Sequence, residues 1–172
     1  MEVTYETNFS FSESSETLTT QPEETEPEEQ GSRVLVAYFS ATNTTEGVAE
    51  HIVNGLNADL NYNDNNSRTT IEINDPKARP VISGSIENME QYDIVFIGYP
   101  IWWGEAPRIV STFVESYDFS GKTMVPFATS DGSGMGRTVD ELKKLCPDAD
   151  WKVGKMVNGA SERELADWAN KF

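Results

Sequence analysis

The chain is poor in several residue types, and each scarcity argues against a class of function. It has one cysteine, Cys146, and one histidine, His51, among 172 residues. It therefore forms no internal disulfide and offers no Cys/His cluster of the kind that binds zinc. Basic residues are also few, with 13 Lys and Arg against 29 Asp and Glu. Because these basic residues are not clustered, the sequence argues against nucleic acid as a partner.

Long apolar runs are missing as well. No stretch reaches the length of a membrane span, and no basic-then-apolar signal begins at Met1. These features predict a cytoplasmic protein without a membrane span. A protein tethered at the cell surface, through a leader that is not part of this chain, would have the same sequence and remains the alternative.

Negative charge is concentrated at the N-terminus. Residues 1–32 hold nine Glu and no Lys, Arg or Asp, which leaves 20 acidic and 13 basic residues in the rest of the chain. The segment is rich in Ser, Thr and Pro, so we expect a disordered acidic tail over 1–32 and one domain over 33–172. An alternation of apolar residues leaves an edge strand as the alternative reading, carried by Val3, Tyr5, Phe9 and Phe11.

Strand and helix patterns alternate from residue 33 to the end. Apolar runs predict strands over 33–39, 93–99 and 122–128, and an alternating pattern predicts a last strand over 151–157. Helical patterns cover 46–56, a stretch beginning at Pro107, 138–145, and a final helix opened by the capping box of Ser161 and Glu164. The second strand is either 59–62 or 69–73. This order predicts a doubly wound parallel α/β sandwich.

In such a sheet a ligand lies beyond the carboxyl ends of the strands, so three loops matter. The first, which we call the phosphate loop, covers 40–45 and joins a buried strand to a helix. Backbone N–H groups and the helix dipole favour an anion there, and the hydroxyl residues add donors without charge. A phosphate monoester suits this loop. The alternative is a plain cluster of N-cap residues.

The second loop, the tryptophan loop (99–106), contains two adjacent tryptophans, Trp102 and Trp103. A loop normally buries too little surface to hold two such rings, and they suit a wall against a large planar ligand. In the alternative interpretation, one ring caps the core and the other lies on the surface.

The third loop, the glycine loop (129–136), holds three glycines that let a ligand approach the backbone closely. It does not match a dinucleotide fingerprint, and the phosphate loop lacks the lysine of a nucleotide-triphosphate site. A phosphate loop, an aromatic loop and a glycine-rich loop on three successive strand ends describe a ligand with a terminal phosphate, a linker and a flat ring. Flavin mononucleotide (FMN) fits this description best.

Over about 34–156 the chain resembles the short bacterial flavodoxin-like proteins, through the segments YFSATNTTEGVAEHI, DIVFIGYPIWWGEAP and FATSDGSGMG. The resemblance implies a flavodoxin-like three-layer sandwich, with a five-stranded parallel sheet and helices on both faces. It implies phosphate contacts from Ser40, Thr42, Asn43, Thr44 and Thr45. It implies flavin-ring contacts from Pro100, Ile101, Trp102, Trp103 and Gly104. Ring-edge and ribityl contacts are implied for Thr129, Ser130, Asp131, Gly132, Ser133 and Gly134.

Two positions depart from the pattern of the family. Asn43 stands where the phosphate loop usually has glycine, and Asn tolerates the positive φ that such a turn needs. The glycine loop lacks the aromatic residue that closes the second flavin face in typical electron carriers of the family. One face of the flavin is therefore expected to be open, unless Tyr62 or the loop over 61–85 covers it.

These features predict an electron carrier, because the sequence supplies no acid, base or nucleophile and the cofactor would provide the redox chemistry. The acidic balance favours redox partners with basic docking faces, and a homodimer is left open. The alternative is an FMN-dependent NAD(P)H or quinone oxidoreductase that uses the open flavin face. A docking module without flavin is the third possibility, and the two tryptophans argue against it.

Overall fold

Parallel strands form the centre of the fold. The computed structural model of the protein describes residues 7–8, 10–13, 33–39, 68–83 and 85–172. The strands are β1 (Thr7–Asn8), β2 (Ser10–Glu13), β3 (Val34–Tyr38), β4 (Ile82–Ser83), β5 (Ile94–Pro100), β6 (Thr123–Thr129), β7 (Asp150–Trp151) and β8 (Lys155–Met156). The helices are α1 (Arg68–Asn74), α2 (Arg108–Ser116), α3 (Thr138–Leu145) and α4 (Glu162–Ala169), with a 3₁₀ helix at Met89–Gln91.

The main sheet has the strand order β2-β3-β5-β6-β7, and β8 also pairs with β6. Strands β3, β5, β6, β7 and β8 are mutually parallel wherever they pair, whereas β2 is antiparallel to β3. A separate parallel pair joins β1 to β4. The parallel α/β architecture predicted from the alternating patterns is confirmed.

Both faces of the sheet are covered, as the continuous apolar strands require. Successive side chains of β5 alternate between two cores, with Val95 and Ile97 in one and Ile94 and Phe96 in the other. Buried residues of α2 and α3 pack in the first core, and α4 packs against the second. The result is the three-layer sandwich with helices on both faces that the resemblance implies.

The predicted helices agree with the structure where they are described. Helix α2 begins after Pro107 as N-cap and buries the predicted apolar face. Helix α3 covers the predicted range. Helix α4 begins with the capping box, in which Ser161 N donates to Glu164 Oε2 at 2.9 Å and Glu164 N donates to Ser161 Oγ at 3.4 Å.

The placement of the second strand at 69–73 is wrong, because these residues belong to helix α1. Their β-branched residues favour a strand locally, but a distant side chain stabilises the end of a helix. Arg108 donates to the carbonyls of Glu72 and Ile73 near the end of α1, at 3.3 and 2.9 Å, and Glu72 O also accepts from Asp75 N at 3.2 Å.

The last strand is divided where the sequence predicts one continuous element. Lys152 N still donates to Met124 O at 2.9 Å, but regular pairing stops until β8. At the break, Val153 points outward with 90% exposure, and the side chain of Met135 lies where a Cβ on Gly154 would be. The packing of the glycine loop against the strand therefore coincides with the interruption.

Within the segment 1–32, for which we expect a disordered tail, the structure describes two strands, β1 at Thr7–Asn8 and β2 at Ser10–Glu13. Strand β2 pairs along β3 from Ser10 opposite Tyr38 to Glu13 opposite Leu35. Pairing satisfies backbone groups along an otherwise open edge of β3. Phe11 lies in β2, in agreement with the alternative of an edge strand. The other residues of that alternative, Val3, Tyr5 and Phe9, lie outside the described residues.

The helix predicted over 46–56 and the possible strand at 59–62 also lie outside the described residues. No helix in the described ranges is both long enough and apolar enough to cross a membrane.

Candidate functional site

The three candidate loops begin side by side. Strands β3, β5 and β6 are parallel neighbours, so their carboxyl ends lie at one edge of the sheet. Two backbone hydrogen bonds extend the pairing there, from Phe39 N to Gly98 O and from Ile101 N to Thr129 O, each at 2.8 Å. The sequence predicts a ligand at this edge because a doubly wound sheet collects its loops there.

The phosphate loop follows Phe39 directly. Its predicted contact residues lie outside the described residues: Ser40, Thr42, Asn43, Thr44 and Thr45. The structure does place Phe39, which is buried and contacts Trp102 edge-to-face, with ring centroids 5.8 Å apart. Phe39, the last described residue before the phosphate loop, therefore lies against the tryptophan loop.

A tight turn lies at the tip of the tryptophan loop. Trp102 N donates to Glu105 O and Glu105 N donates to Trp102 O, both at 2.9 Å. The two residues between them, Trp103 and Gly104, have φ values of +48° and +80°. This is the arrangement of a type I′ turn, in which both central residues are left-handed. Glycine adopts it freely, but a bulky residue such as Trp103 is strained by about 1–3 kcal/mol.

The two tryptophans have different environments. Trp102 is 1% exposed and belongs to the core, whereas Trp103 is 51% exposed. The alternative interpretation, one ring in the core and one at the surface, therefore describes their burial. The indole Nε1 of Trp102 is buried and has no hydrogen-bond partner among the described residues. An unpaired buried donor is costly, so this N–H is a candidate ligand contact.

The other predicted residues of the tryptophan loop differ in exposure. Pro100 ends β5 and is buried, Ile101 is 7% exposed, and Gly104 is half-buried. The loop thus offers a ligand the turn at Trp103–Gly104, whereas Pro100 and Ile101 anchor that turn to the sheet.

The glycine loop leaves the sheet at Thr129, which is buried, and is exposed from Asp131 to Gly134. Asn158, which is not among the predicted site residues, holds the first turn of this loop. Ser130 N donates to Asn158 Oδ1 at 2.9 Å, and Asn158 Nδ2 donates to Ser130 O at 2.8 Å. Ser130 Oγ in turn accepts from Ser133 N at 2.8 Å. The Asn158–Gly159 dipeptide after the last strand is a turn signal that could have drawn attention to this position.

The tryptophan and glycine loops touch each other. Gly136 has φ +57°, and a Cβ on it would lie 2.7 Å from Gly104 O, so only glycine allows this approach. A salt bridge spans the same gap, with Arg137 NH2 2.9 Å from Glu105 Oε1. The sequence analysis predicted neither Glu105 nor Arg137, because no local pattern connects residues 32 positions apart.

Glu105 has a second cationic partner. Its Oε2 lies 2.9 Å from Arg108 NH2, and the two side chains are only 22% and 12% exposed. The same Arg108 guanidinium donates to the last carbonyls of α1. The i,i+3 spacing of Glu105 and Arg108 around Pro107 is the signal that could have revealed this pair.

A buried hydroxyl chain supports the glycine loop from below. Tyr99 Oη donates to Thr138 Oγ1 at 3.1 Å, and Thr138 Oγ1 donates to Met135 O at 2.7 Å. Burial raises the pKa of Tyr99 to about 12, and its bond to Thr138 only partly opposes this shift. The phenol is therefore neutral and serves as a donor rather than as a base.

Two clefts lie among the described residues, and neither contains a predicted site residue. One, of about 510 Å³, lies between the 3₁₀ helix and the end of α2, and none of its lining residues belongs to the tryptophan or glycine loop. The other, of about 410 Å³, adjoins the end of the glycine loop at Met135 and Gly136. The described residues also contain no group of three or more His, Cys, Asp or Glu that could hold a metal ion.

The chain is similar to several solved flavoprotein structures. A protein of Bacteroides eggerthii described as a candidate flavoprotein is 42% identical, with a TM-score of 0.71, covering 82% of this chain and 98% of that one. A similar candidate from Bacteroides uniformis is 39% identical, with a TM-score of 0.73, covering 82% and 99%. A flavoprotein of Lactobacillus acidophilus in complex with FMN shares the fold at 18% identity and a TM-score of 0.56, covering 79% and 96%.

No curated protein matches the chain. A family model described as flavodoxin, however, matches residues 33–172. This match agrees with the parallel sheet, with the three loops at its carboxyl edge and with the flavoprotein neighbours, and we conclude that the chain belongs to the flavodoxin family.

Proposed function

We propose that this protein binds FMN and carries low-potential electrons between redox proteins. The observation that carries the proposal is the Nε1–H of Trp102, which is buried beside Phe39 and has no hydrogen-bond partner in the described part of the chain. In an apolar core this N–H group would lack a hydrogen bond, which is costly. An anionic phosphate would accept a hydrogen bond from it. The residues present therefore fit a phosphate-bearing cofactor.

The exposed ring of Trp103 fits the planar part of the same cofactor. It projects from a strained turn at the ligand edge, and strain of this kind concentrates at functional positions. Stacking on a heteroaromatic ring would bury the half of its surface that is now exposed. In this arrangement Trp102 and the phosphate loop would hold the phosphate, and Trp103 would hold the ring.

The glycine loop would complete the site through its backbone. Its residues 131–134 are exposed, and Ser130 is held by Asn158, so N–H and C=O groups are available at a defined position. When bound, FMN supplies the one- and two-electron redox chemistry that the side chains of this chain lack. The protein's part is to bind and orient the cofactor and to set its electrostatic surroundings.

Charge supports redox proteins with basic faces as partners. The part of the chain after residue 32 has 20 acidic and 13 basic residues, and the first 32 residues add nine Glu. Such a surplus steers basic partners and makes their association sensitive to salt.

An FMN-dependent NAD(P)H or quinone oxidoreductase is the second candidate, and one observation favours it. The exposed residues Asp131, Gly132, Ser133 and Gly134 include no aromatic side chain that could cover a flavin face. An uncovered face would admit a second substrate directly.

The test starts with titration of the purified protein with FMN, followed by flavin fluorescence. Tight binding supports the proposal, and a protein that fails to bind FMN overturns it. NADPH and then NADH are next added anaerobically to the FMN-loaded protein, while the visible absorbance of the flavin is recorded. A flavin that stays oxidised until a reduced redox protein is added supports the carrier. Fast bleaching by either nucleotide alone assigns the reductase.

A further inference from the structure

We propose that Glu105 is a positioning residue that holds Trp103 in place for the flavin ring, an inference that rests on the FMN site proposed above. Glu105 ends the turn that carries Trp103, and its backbone makes both hydrogen bonds that close this turn. Its carboxylate simultaneously binds two arginines from different elements, Arg108 and Arg137, each at 2.9 Å. One residue thus joins the turn to both of its neighbours.

The strain at Trp103 explains why such a residue is needed. A bulky side chain at φ +48° keeps that conformation only when the surrounding structure leaves it no alternative. The preceding residue, Trp102, is anchored in the core, but Gly104 on the other side imposes no constraint of its own. Glu105 therefore supplies the second anchor of the turn.

The contact with Arg108 connects this anchor to helix α1. Arg108 is mostly buried, and it donates to Glu105 and to the carbonyls of Glu72 and Ile73 with the same guanidinium. A cation at this helix end is favoured by the helix dipole as well as by the two carbonyls to which it donates. Because the guanidinium is planar and rigid, the tip of the tryptophan loop and the end of α1 keep a defined separation.

The contact with Arg137 connects the anchor to the glycine loop. Arg137 is 71% exposed and follows Gly136, which packs against Gly104 O. An exposed ion pair contributes little by itself, but this one reinforces a backbone contact between the same two loops. We therefore expect the tryptophan loop and the glycine loop to move as a unit.

The role that we assign to Glu105 requires a carboxylate side chain. Each of its oxygens accepts from a different arginine, and an amide would turn one acceptor into a donor facing a guanidinium. We therefore expect Glu105→Gln to loosen the turn while preserving the shape of the side chain. The matched control is Glu141→Gln, since Glu141 lies within the field of the same two arginines, Arg108 and Arg137, but accepts its hydrogen bond from Lys144 on the surface of α3, at 2.7 Å.

The first measurement is the dissociation constant of each variant for FMN and for riboflavin, which lacks the phosphate. Because Glu105 acts through the ring-binding turn, Glu105→Gln should weaken both ligands by a similar factor, of about tenfold. The visible circular dichroism of the bound flavin should also change. Glu141→Gln should stay within about twofold of the wild type. Equal affinities and an unchanged spectrum for Glu105→Gln would overturn the proposal.

The second measurement needs no flavin. Hydrogen exchange of the Trp102 and Glu105 amides should accelerate in Glu105→Gln and remain unchanged in Glu141→Gln, because only the first variant releases the turn. Should Glu105→Gln fail to fold, Arg137→Gln alters only an exposed side chain. It must then accelerate the same amides and weaken both ligands, and an unchanged Arg137→Gln counts against Glu105 as the anchor. A wild-type protein without FMN affinity defeats the proposed function itself, whereas normal FMN binding by wild type and Glu105→Gln alike defeats this inference alone.

Discussion

Tyr99 and Thr138 are joined by a buried hydrogen bond of 3.1 Å between their hydroxyl groups, which connects the end of β5 to the first residue of α3. Because Thr138 Oγ1 also donates to Met135 O at 2.7 Å, the bond supports the end of the glycine loop from within the core. Burial holds the Tyr99 phenol in its neutral, donating form.

Removal of this hydroxyl by Tyr99→Phe should lower the free energy of unfolding at pH 7 by about 1 kcal/mol, the usual net contribution of such a bond. Urea denaturation measures the change. Thr138→Val breaks the same bond, so the double variant should lose less than the sum of the two single losses. Fully additive losses would contradict a direct bond between the two hydroxyls.

The same phenol predicts a loss of stability at high pH. The pKa of Tyr99 is about 12 in the folded protein and near 10 when unfolded, so its contribution is fully present below pH 10. As the pH rises from 10 through 12, the wild type loses about 2–3 kcal/mol of stability, because burial opposes the phenolate that forms freely in the unfolded chain. Since Tyr99→Phe cannot ionise, the stability difference between wild type and variant should shift in favour of the variant between pH 10 and 12. Parallel pH profiles would refute the prediction.

Trp102→Phe should affect phosphate binding in particular. The substitution keeps an aromatic ring in the core but removes the Nε1–H, for which the described residues offer no acceptor. If this N–H donates to the phosphate, the FMN dissociation constant should rise about tenfold or more, whereas that of riboflavin should barely change. Trp168→Phe is the control, because Trp168 packs against the opposite face of the sheet. Equal losses for the two ligands would place the role of Trp102 at the ring.

Gly136→Ala should separate the tryptophan loop from the glycine loop. Its Cβ would lie 2.7 Å from Gly104 O on a residue with φ +57°, so we expect a loss of about 2 kcal/mol or more in the free energy of unfolding. Gly134→Ala in the same loop meets nothing within 4 Å and should be close to neutral. Chemical denaturation and FMN affinity report on both variants. A Gly136→Ala protein as stable as Gly134→Ala would contradict the close approach of the loops.

Removal of residues 1–30 should open the edge of the sheet. Without β2, the outer edge of β3 loses its described strand partner, and exposed edges pair with other chains. We expect a lower free energy of unfolding, by about 2 kcal/mol, and concentration-dependent association in analytical ultracentrifugation. Removal of residues 1–5 spares both N-terminal strands and serves as the control. A shortened chain that matches the control in stability and mass would argue that β2 contributes nothing.

The strands and helices that could be predicted are those whose signal is local. The continuous apolar run of β5 predicts a strand covered on both faces, and the four aligned apolar residues after Pro107 predict α2, because burial follows the period of each element. The capping box of α4 is equally local, since Ser161 and Glu164 are only three residues apart.

Helix α1 and the divided last strand could not be predicted in this way. The residues of α1 favour a strand by composition, but Arg108, 35 residues away from Ile73, satisfies the end of a helix. In the same manner the last strand alternates without interruption in sequence, and Met135 lies against Gly154 where its regular pairing stops. Tertiary contacts override local propensity at both places.

The features of the candidate site also fall into two groups, those predicted from local sequence and those that depend on tertiary contacts. The sequence by itself determined that three loops of distinctive composition follow the predicted strands, and it predicted phosphate, ring and backbone contacts for them, because strand patterns and residue types are local. Only the tertiary structure decided that Trp102 is buried, with no acceptor for its Nε1–H among the described residues, while Trp103 is exposed on a strained turn. It also decided that Glu105, Arg108, Arg137 and Asn158 hold the tryptophan and glycine loops. The physical reason is that burial, strain and ion pairing depend on which distant residues approach one another, and no local spacing encodes that approach.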